Sequence, residues 1–329
     1  MLAELAADPR WFPQAFDPAS NRVLLVRKNE RDYRAASFLD QRSLGPNNER
    51  MIVSWEDLEG AIPGESRADA HFIFHIGHVG STLISRLLGE AETVLALREP
   101  LIIRAFAEIS PVERASRMKV LQRLLARTFR PQQRSIVKAT SFTSEIASEL
   151  VPDGSRALFL YATARHYIEG ILAGDTSRQE LKILAPSRQQ RLAGRCRELG
   201  PARSEAIQAA VAWACEMTSL EGQSARLPSA SVMWLDFDRF LEDPARHLAD
   251  IADFFDVPLG AQASTAICSG TLMQRYSKAL EYEYSPGLRR EVLADARRRH
   301  GPAIDEAIEW LAAGSRNCSL LAAAIGRAS

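Results

Sequence analysis

From residue 71 onward, short apolar runs alternate with longer segments in which apolar residues recur at helical spacing. This alternation is typical of parallel βαβ units, in which apolar strands are covered by helices. It predicts strands at 71–76, 94–97, 135–138, 157–161 and 231–235, and helices at 81–88, 112–128 and 205–220. We therefore expect an α/β fold of three layers, with a mainly parallel sheet flanked by helices.

Two stretches depart from this pattern. Residues 1–70 mix short apolar pieces with polar turns and end in a linker at 60–70 that is rich in Gly, Pro and small residues. They predict an appended N-terminal region ahead of a main domain at 71–329. Residues 176–228 carry no strand pattern and predict two or three helices inserted between two strands, where they would form a lid or the wall of a substrate site.

The charge of the chain is balanced. Its 329 residues include 41 basic and 41 acidic residues, so the formal net charge is zero. Proteins that recruit nucleic acid or an anionic membrane usually carry a basic excess. We therefore expect neither as a partner, and an anionic ligand would have to be held by a local cluster of residues.

The N-terminus and the cysteines bear on location. Residues 1–10 include Glu4 and Asp8 and lack the basic start and apolar core of a signal peptide, and no apolar run is long enough to cross a bilayer. The cysteines show no paired spacing, which fits neither a disulfide framework nor a zinc ribbon. They are Cys196, Cys215, Cys268 and Cys318. These features predict a soluble protein of a reducing compartment, the cytoplasm.

The strongest local feature is the loop that follows the first predicted strand. An apolar strand leads into a glycine-containing loop, and Ser81 and Thr82 open an apolar helix. Such a junction holds anions, because glycines let backbone N–H groups turn inward and the helix N-terminus carries partial positive charge. We expect Ser81 and Thr82 to cap the helix and to donate hydroxyls to the anion. The predicted binding residues of the loop are His75, Gly77, His78, Val79, Gly80, Ser81 and Thr82.

The loop differs from the loop of ATP- and GTP-binding proteins. That loop begins with Gly and has Lys before its final Ser or Thr. This chain has His75 and Ser81 at those two positions. The sequence therefore does not predict a standard ATP or GTP site.

The loop instead resembles that of the sulfotransferases, in which the basic residue comes earlier and a glycine precedes two hydroxyl residues. His78 takes the position of the family's Lys or Arg. A second similarity is the segment SVMWLDFDRFLEDPARHLADIADFFDVP, a strand followed by Asp243 and Pro244 at the start of a helix. A third is LALREP, in which Glu99 stands where several sulfotransferases have their base. The resemblance covers about 71–258, with a weaker continuation at 275–278.

The resemblance implies a P-loop NTPase-like fold of the sulfotransferase type. It implies 3'-phosphoadenosine 5'-phosphosulfate as the co-substrate and no metal. It also implies that Glu99 accepts the proton of the acceptor, while His78, Ser81 and Thr82 stabilise charge on the leaving phosphate. The sequence leaves the acceptor, a small molecule or a peptide, and the oligomeric state open.

The chain departs from the family at the clamp for the 3'-phosphate of the donor. Ala162 stands where the family has an arginine, and Gly170 where it has a serine. Three basic residues are candidates to replace the lost contacts, because they follow predicted strands or lie on the late C-terminal loop: Arg165, Arg275 and Lys278. Lys138, at the end of the third strand, is a further candidate because ligands of open α/β sheets bind beyond the carboxyl ends of the strands.

Three other interpretations follow from single features. His71 and His75 share one side of a strand while His78 lies on the loop, which disfavours a metal site. The apolar run before Asp236 imitates a Walker B strand, so that Asp236 or Asp238 would hold magnesium in a kinase-like phosphotransferase. The altered clamp also allows a non-catalytic protein that binds a nucleotide or an anion.

Overall fold

The computed structural model describes residues 8–197 and 199–329. The five strands of its central sheet are β4 (His71–His75), β5 (Val94–Arg98), β6 (Arg134–Lys138), β7 (Ala157–Tyr161) and β8 (Val232–Asp236). They lie in the order β5-β6-β4-β7-β8, and all neighbouring strands run parallel. Each lies within one residue of its predicted bounds. The predicted α/β fold with a mainly parallel sheet flanked by helices is confirmed.

A second, three-stranded antiparallel sheet lies in the N-terminal region. It consists of β1 (Trp11–Asp17), β2 (Arg22–Arg27) and β3 (Arg50–Ser54). The predicted absence of a signal peptide at 1–10 falls mainly on residues 1–7, which lie outside the described residues.

Fourteen helices are found in the described part of the chain. Through the first half these are α1 (Glu30–Ala35), α2 (Trp55–Ala61), α3 (Ser81–Gly89), α4 (Leu101–Glu108), α5 (Pro111–Ala126), α6 (Ala147–Leu150) and α7 (Ala164–Ala173). The remaining helices are α8 (Asp175–Arg195), α9 (Glu205–Ser224), α10 (Phe237–Glu242), α11 (Pro244–Phe254), α12 (Ala261–Cys268), α13 (Pro286–Ser315) and α14 (Ser319–Arg327). Short 3-10 turns occupy Gln41–Ser43, Ser141–Ile146, Ser229–Ser231 and Thr271–Gln274.

Local sequence explains where these elements begin. The strands β4, β5 and β7 are buried at every position, as expected for the interior of a parallel sheet. Asp243 accepts a hydrogen bond from the backbone N–H of Arg246 and Pro244 is the first residue of α11, as the sequence predicted for this junction. The stretch at 176–228 contains most of α8 and the whole of α9.

The N-terminal region packs directly on the main sheet. The ring of Phe16 lies 5.1 Å from that of Trp55 and 5.8 Å from that of Phe106 on α4. The buried guanidinium of Arg98, at the end of β5, donates hydrogen bonds to backbone carbonyls of the N-terminal region, including that of Ala36. These contacts fix the N-terminal residues beside the carboxyl end of β5.

The structure corrects the expectation about cysteines. Cys196, after α8, and Cys318, before α14, form a disulfide with a Cα–Cα distance of 5.3 Å. The sequence spacing concealed it because the two residues are 122 positions apart and meet only through the packing of the helices. Disulfides are rare in reducing compartments, so this one weighs against the predicted compartment. No helix in the described ranges is long and apolar enough to cross a membrane.

Candidate functional site

The loop between β4 and α3 has an unusual backbone. Gly77, His78 and Gly80 all have positive φ angles, of 82°, 55° and 63°. Gly80 is required at its position, because a Cβ there would lie 1.9 Å from a ring carbon of Phe237. The predicted strand, glycine loop and helix beginning at Ser81 are therefore all present.

One detail of the loop differs from the prediction. The N-cap of α3 is Gly80, not Ser81 or Thr82, and among the described residues no side chain caps the helix. Ser81 and Thr82 lie inside the first turn, and the buried hydroxyl of Thr82 has no partner in the described part of the chain. Uncapped N–H groups and a helix dipole face the same space, which favours an anion.

His75 braces the loop from the end of β4. Its Nδ1 accepts a hydrogen bond from the N–H of Gly77 at 3.0 Å, and its Nε2 lies 3.0 Å from the carbonyl oxygen of Ala139. These partners fit a neutral ring with the proton on Nε2. Burial, together with the positive charges of Lys138 and Lys278, holds the pKa of His75 well below its usual value. His75 therefore positions the loop and does not supply positive charge.

His78 points to a partner on the inserted helices. Its Nε2 lies 3.5 Å from Oε2 of Glu180 on α8, and its ring packs edge-on against Tyr167 on α7. The hydrogen bond from His78 lowers the pKa of Glu180 to about 2, although burial acts in the opposite direction. The ionised carboxylate of Glu180 therefore lies beside His78 on the loop.

Glu99 lies at the carboxyl end of β5 and is buried. Its carboxylate forms an ion pair with Lys138 at the end of β6, and Arg104 lies 3.7 Å from its other oxygen. Burial lowers the pKa of Lys138 to about 8, although Glu99 opposes that shift. The backbone of Glu99 has a φ of 52°, a strained conformation that is common at functional sites.

The late C-terminal loop closes over α3. The buried Arg86 of α3 donates a hydrogen bond to the carbonyl of Ser277 at 2.9 Å, which fixes this loop beside the anion-binding loop. Arg275 and Lys278 on the same loop form no ion pair with any described residue. They are therefore available to an anionic ligand.

Two cavities meet at these residues. The smaller, about 300 Å³, lies over the loop from His78 to Thr82 and is closed by the C-terminal loop, Phe237 and Tyr284. The larger, about 1010 Å³, is lined by Glu99 and by residues of α8. The residues that line both cavities are His75, His78, Gly170, Tyr276, Lys278 and Val292.

The structure brings most of the predicted site residues to these cavities, but not all of them. Arg165 is paired with Asp305 at 2.8 Å and lines neither cavity. Ala162 is fully buried and its carbonyl accepts a hydrogen bond from Trp213. At the two positions of the family's clamp, Ala162 is therefore out of reach of a ligand, while Gly170 offers only backbone.

The two acidic residues of the kinase-like interpretation are engaged elsewhere. Asp236 accepts hydrogen bonds from the N–H groups of Asp238 and Arg239 at the start of α10. Asp238 binds His166 at 2.9 Å and Arg289 at 2.7 Å. Burial raises the pKa of Asp238, but the hydrogen bonds from His166 and Arg289 lower it by more. The two carboxylates hold helices together rather than facing the loop.

Sequence reasoning missed the residues that the inserted helices contribute. Glu180, Arg188 and Arg191 on α8 and Glu216 on α9 all line the larger cavity. No short sequence motif, such as a glycine spacing or a pair of hydroxyl residues, identifies these positions. The four side chains come together only when α8 and α9 pack. His71 lies apart from the loop, with its ring stacked on Phe255 at 5.3 Å.

No protein-family model and no curated protein matches the sequence. Among solved structures, the chain is similar to a sulfotransferase domain from the curacin biosynthetic pathway, with 14% identity, a TM-score of 0.42, and coverage of 71% of this chain and 92% of that one. A sulfotransferase domain of a Synechococcus olefin synthase matches with 15% identity, the same TM-score of 0.42, and coverage of 71% and 90%. A mouse sulfotransferase complexed with PAP matches with 11% identity, a TM-score of 0.42, and coverage of 79% and 89%. TM-scores this low support no inference about the activity of this chain.

Proposed function

We propose that this chain is a sulfotransferase that moves a sulfuryl group from 3'-phosphoadenosine 5'-phosphosulfate to a hydroxyl or an amine of an acceptor. The observation that carries the proposal is the meeting of two cavities at His78 and Lys278. A donor over the loop and an acceptor beside Glu99 would have their reacting atoms at this shared wall. Positioning two substrates in this way supplies much of the catalysis in group transfer.

The residues of the smaller cavity fit the 5' end of the donor. The uncapped start of α3, the loop N–H groups, the ring of His78 and the ammonium of Lys278 would hold its phosphate and sulfate. The fit at the 3'-phosphate is weaker, since Ala162 is buried and Gly170 has no side chain. Arg275, which lines the same cavity, is our candidate for that contact.

In the proposed reaction, the acceptor oxygen or nitrogen forms a bond to sulfur while the bond from sulfur to the 5'-phosphate oxygen breaks. Negative charge then develops on the leaving bisphosphate, and the loop N–H groups, His78 and Lys278 stabilise it. The proton of the acceptor passes to Glu99. The transfer asks little covalent chemistry of the protein, as in phosphoryl transfer, so most of the catalysis comes from positioning and from stabilisation of charge.

The kinase-like alternative has less support. Ser81 stands at the position of the missing lysine, and Asp236 and Asp238 are committed to a helix cap and to ion pairs. A non-catalytic anion-binding protein is favoured by one observation, the burial of Ala162 at the clamp. The acceptor as a small molecule or a peptide and the absence of nucleic-acid and membrane partners remain our expectations. The cytoplasmic location expected from the sequence is opposed by the disulfide between Cys196 and Cys318.

A thermal-shift experiment tests the proposal. A ligand that binds only the folded protein stabilises it and so raises its melting temperature. At a ligand concentration of 100 times Kd the free energy of unfolding increases by about 2.7 kcal/mol. We expect 3'-phosphoadenosine 5'-phosphate to raise the melting temperature and ATP with magnesium to leave it unchanged. A shift with ATP and magnesium alone would support the kinase-like alternative, and no shift with either ligand would refute donor binding.

A further inference from the structure

Three arginines meet near the end of α3, away from the two cavities described above. Arg34 lies on α1, Arg86 on α3 and Arg98 at the end of β5, and none of them lines the smaller or the larger cavity. They line a separate arginine cavity of about 20 Å³. Its lining residues are Arg34, Arg86, Gly89, Glu90, Ala96 and Arg98. The N-terminal region, the helix after the anion-binding loop and the main sheet each contribute one cation to it.

Two of these cations are buried without a carboxylate partner. Arg98 is 1% exposed and Arg86 is 6% exposed, and neither forms an ion pair with a described residue. Arginine is rarely buried to this extent unless it is paired. Arg34, in contrast, is paired with Glu30 at 3.1 Å. Burial and the charges of Arg86 and Arg34 lower the pKa of Arg98 to about 9, so Arg98 is still charged at neutral pH.

Each of the two buried guanidiniums keeps one nitrogen free of hydrogen bonds. Nε and Nη2 of Arg98 donate to backbone carbonyls of the N-terminal region. Nε of Arg86 donates to the carbonyl of Ser277 at 2.9 Å, and Nη2 donates to the hydroxyl of Ser37 at 2.6 Å. Nη1 of Arg86 and Nη1 of Arg98 have no partner in the described part of the chain. Neither is among the described polar atoms that lack both a partner and accessible surface, so both keep accessible surface.

The negative charge near the arginine cavity does not balance these two cations. The carbonyl end of α3 carries about half a negative charge, and its Gly89 carbonyl already accepts a hydrogen bond from Arg34. Glu90 is exposed and forms no ion pair with any described residue. Its carboxylate acts through water, where Coulomb energies are roughly 20 times weaker than in a dry interior. A water molecule could accept hydrogen bonds from both arginines but would leave their charge uncompensated.

The size of the arginine cavity limits what could neutralise that charge. A cavity needs about 10–15 Å³ of such space to hold one water-sized ligand. At about 20 Å³, this cavity has room for a single atom slightly larger than a water molecule. It is too small for the four oxygens of sulfate or phosphate. Size and charge together therefore select a monatomic anion.

We infer that the arginine cavity binds one halide-sized anion, chloride under ordinary conditions, through Nη1 of Arg86 and Nη1 of Arg98. The anion neutralises the two buried cations and joins α3 to β5, beside the N-terminal region that Arg98 holds. This site is distinct from the proposed donor and acceptor cavities. It does not depend on the sulfuryl transfer proposed above.

Anomalous diffraction from crystals soaked in sodium bromide locates the anion, because bromide replaces chloride and scatters anomalously. We expect a bromide peak within hydrogen-bond distance of Nη1 of Arg86 and of Arg98. The peak should be lost in Arg86→Gln and kept in Arg31→Gln, a matched change at an exposed position of α1. Absence of the peak in the wild type, or a peak of full height in Arg86→Gln, would overturn the inference.

Melting temperatures test whether the anion binds in solution. Each variant is measured in sodium chloride and in sodium gluconate of equal ionic strength, since gluconate is too large for the cavity. At ten times Kd for chloride, the change from gluconate to chloride should favour the wild type over Arg86→Gln by about 2 °C. Arg31→Gln should behave as the wild type. The same response to chloride in wild type and Arg86→Gln would contradict a site at these arginines.

A change at an exposed position gives a second test that does not disturb the buried arginines. Glu90→Gln removes the carboxylate that repels the anion, so chloride should bind about fivefold more tightly. Glu92→Gln, an exposed neighbour outside the cavity, is the control and should leave chloride affinity unchanged. If Glu90 itself were the partner of the arginines, the wild type would not respond to chloride and Glu90→Gln would. That result would refute the site in the native protein.

Discussion

The two cavities are built in different ways. The smaller one is formed by backbone geometry, with three positive φ angles in a short loop, an uncapped helix and two unpaired cations. The larger one is formed by side chains from segments far apart in the sequence, and most of its charged side chains are tied into ion pairs. The difference teaches that a short motif can specify the shape of a loop and the cavity above it, whereas a cavity lined by distant side chains depends on how whole helices pack.

The strongest test of this division is Glu99→Gln in the larger cavity. We expect turnover to fall about 10²- to 10⁴-fold, the usual contribution of a general base, with donor affinity unchanged. Steady-state kinetics and calorimetry with 3'-phosphoadenosine 5'-phosphate measure the two effects. Glu59→Gln, on the exposed surface of α2, is the matched control.

The same change removes the partner of a buried cation. Lys138 is fully buried, so Glu99→Gln should also lower the free energy of unfolding by about 3 kcal/mol. Adding Lys138→Met should restore stability without restoring turnover. An equal loss of donor affinity and turnover would instead mean that Glu99 supports the structure of the loop.

Gly80→Ala tests the backbone of the smaller cavity. The added Cβ would collide with Phe237 and the φ of 63° is unfavourable for alanine, so we expect a loss of about 3 kcal/mol in unfolding free energy and loss of bisphosphate binding. Gly60→Ala, where nothing lies near the new Cβ, should be neutral or slightly stabilising. Chemical denaturation measures the unfolding free energies of both variants. Normal stability in Gly80→Ala would show that the loop adopts another shape.

Lys278→Ala and Arg275→Ala test the unpaired cations. Each should weaken bisphosphate binding about tenfold, because each removes a hydrogen bond to a charged group. Arg165→Ala is the control, since its guanidinium is paired with Asp305 away from both cavities. If the control loses as much affinity as the other two, the donor occupies a different place.

His78 lies between the smaller cavity and the inserted helix α8, where its Nε2 is 3.5 Å from Glu180. If His78 contacts the donor, His78→Ala should weaken bisphosphate binding about tenfold, because it removes a hydrogen bond to a charged group, while His78→Lys should keep binding. Calorimetry measures both affinities. Full binding by His78→Ala would exclude contact with the donor.

His166 supplies a comparison in which pH acts on stability. Its hydrogen bond to Asp238 raises the pKa of His166 above the usual value of about 6.5. The stabilisation is therefore complete below that value and is lost as pH rises through the higher pKa of the folded protein. The difference in unfolding free energy between wild type and His166→Gln should shrink as pH rises above about 6.5 and through the raised pKa of the folded protein. A constant difference would show that the ion pair does not titrate.

The sequence predicted the parts of the molecule that local patterns determine. The five parallel strands are runs of apolar residues, and the junction at Asp243 and Pro244 has the residues that a helix start requires. Glu99 and Lys138 were each predicted as site residues from the sequence, but their ion pair was not predicted. Their pairing follows from the order of the sheet, in which Arg98 on β5 lies opposite Lys138 on β6.

Other features depended on tertiary packing. Glu180 lies in a helix whose sequence gives no sign that it faces the loop, and Cys196 meets Cys318 only when α14 folds back to the end of α8. The predicted cap by Ser81 was wrong because the left-handed backbone of Gly80 already starts the helix. Arg165 matched a position in the family but is held by Asp305 on α13.

The disulfide also determines the covalent topology of the chain. Because it joins residues 122 positions apart, β8 and the loop that carries Arg275 and Lys278 lie inside a closed covalent ring. A single backbone cut within that ring leaves one covalent molecule, and the fragments separate only after reduction. The loop that carries Arg275 and Lys278 therefore stays covalently attached to the rest of the protein after any single backbone cut within the ring.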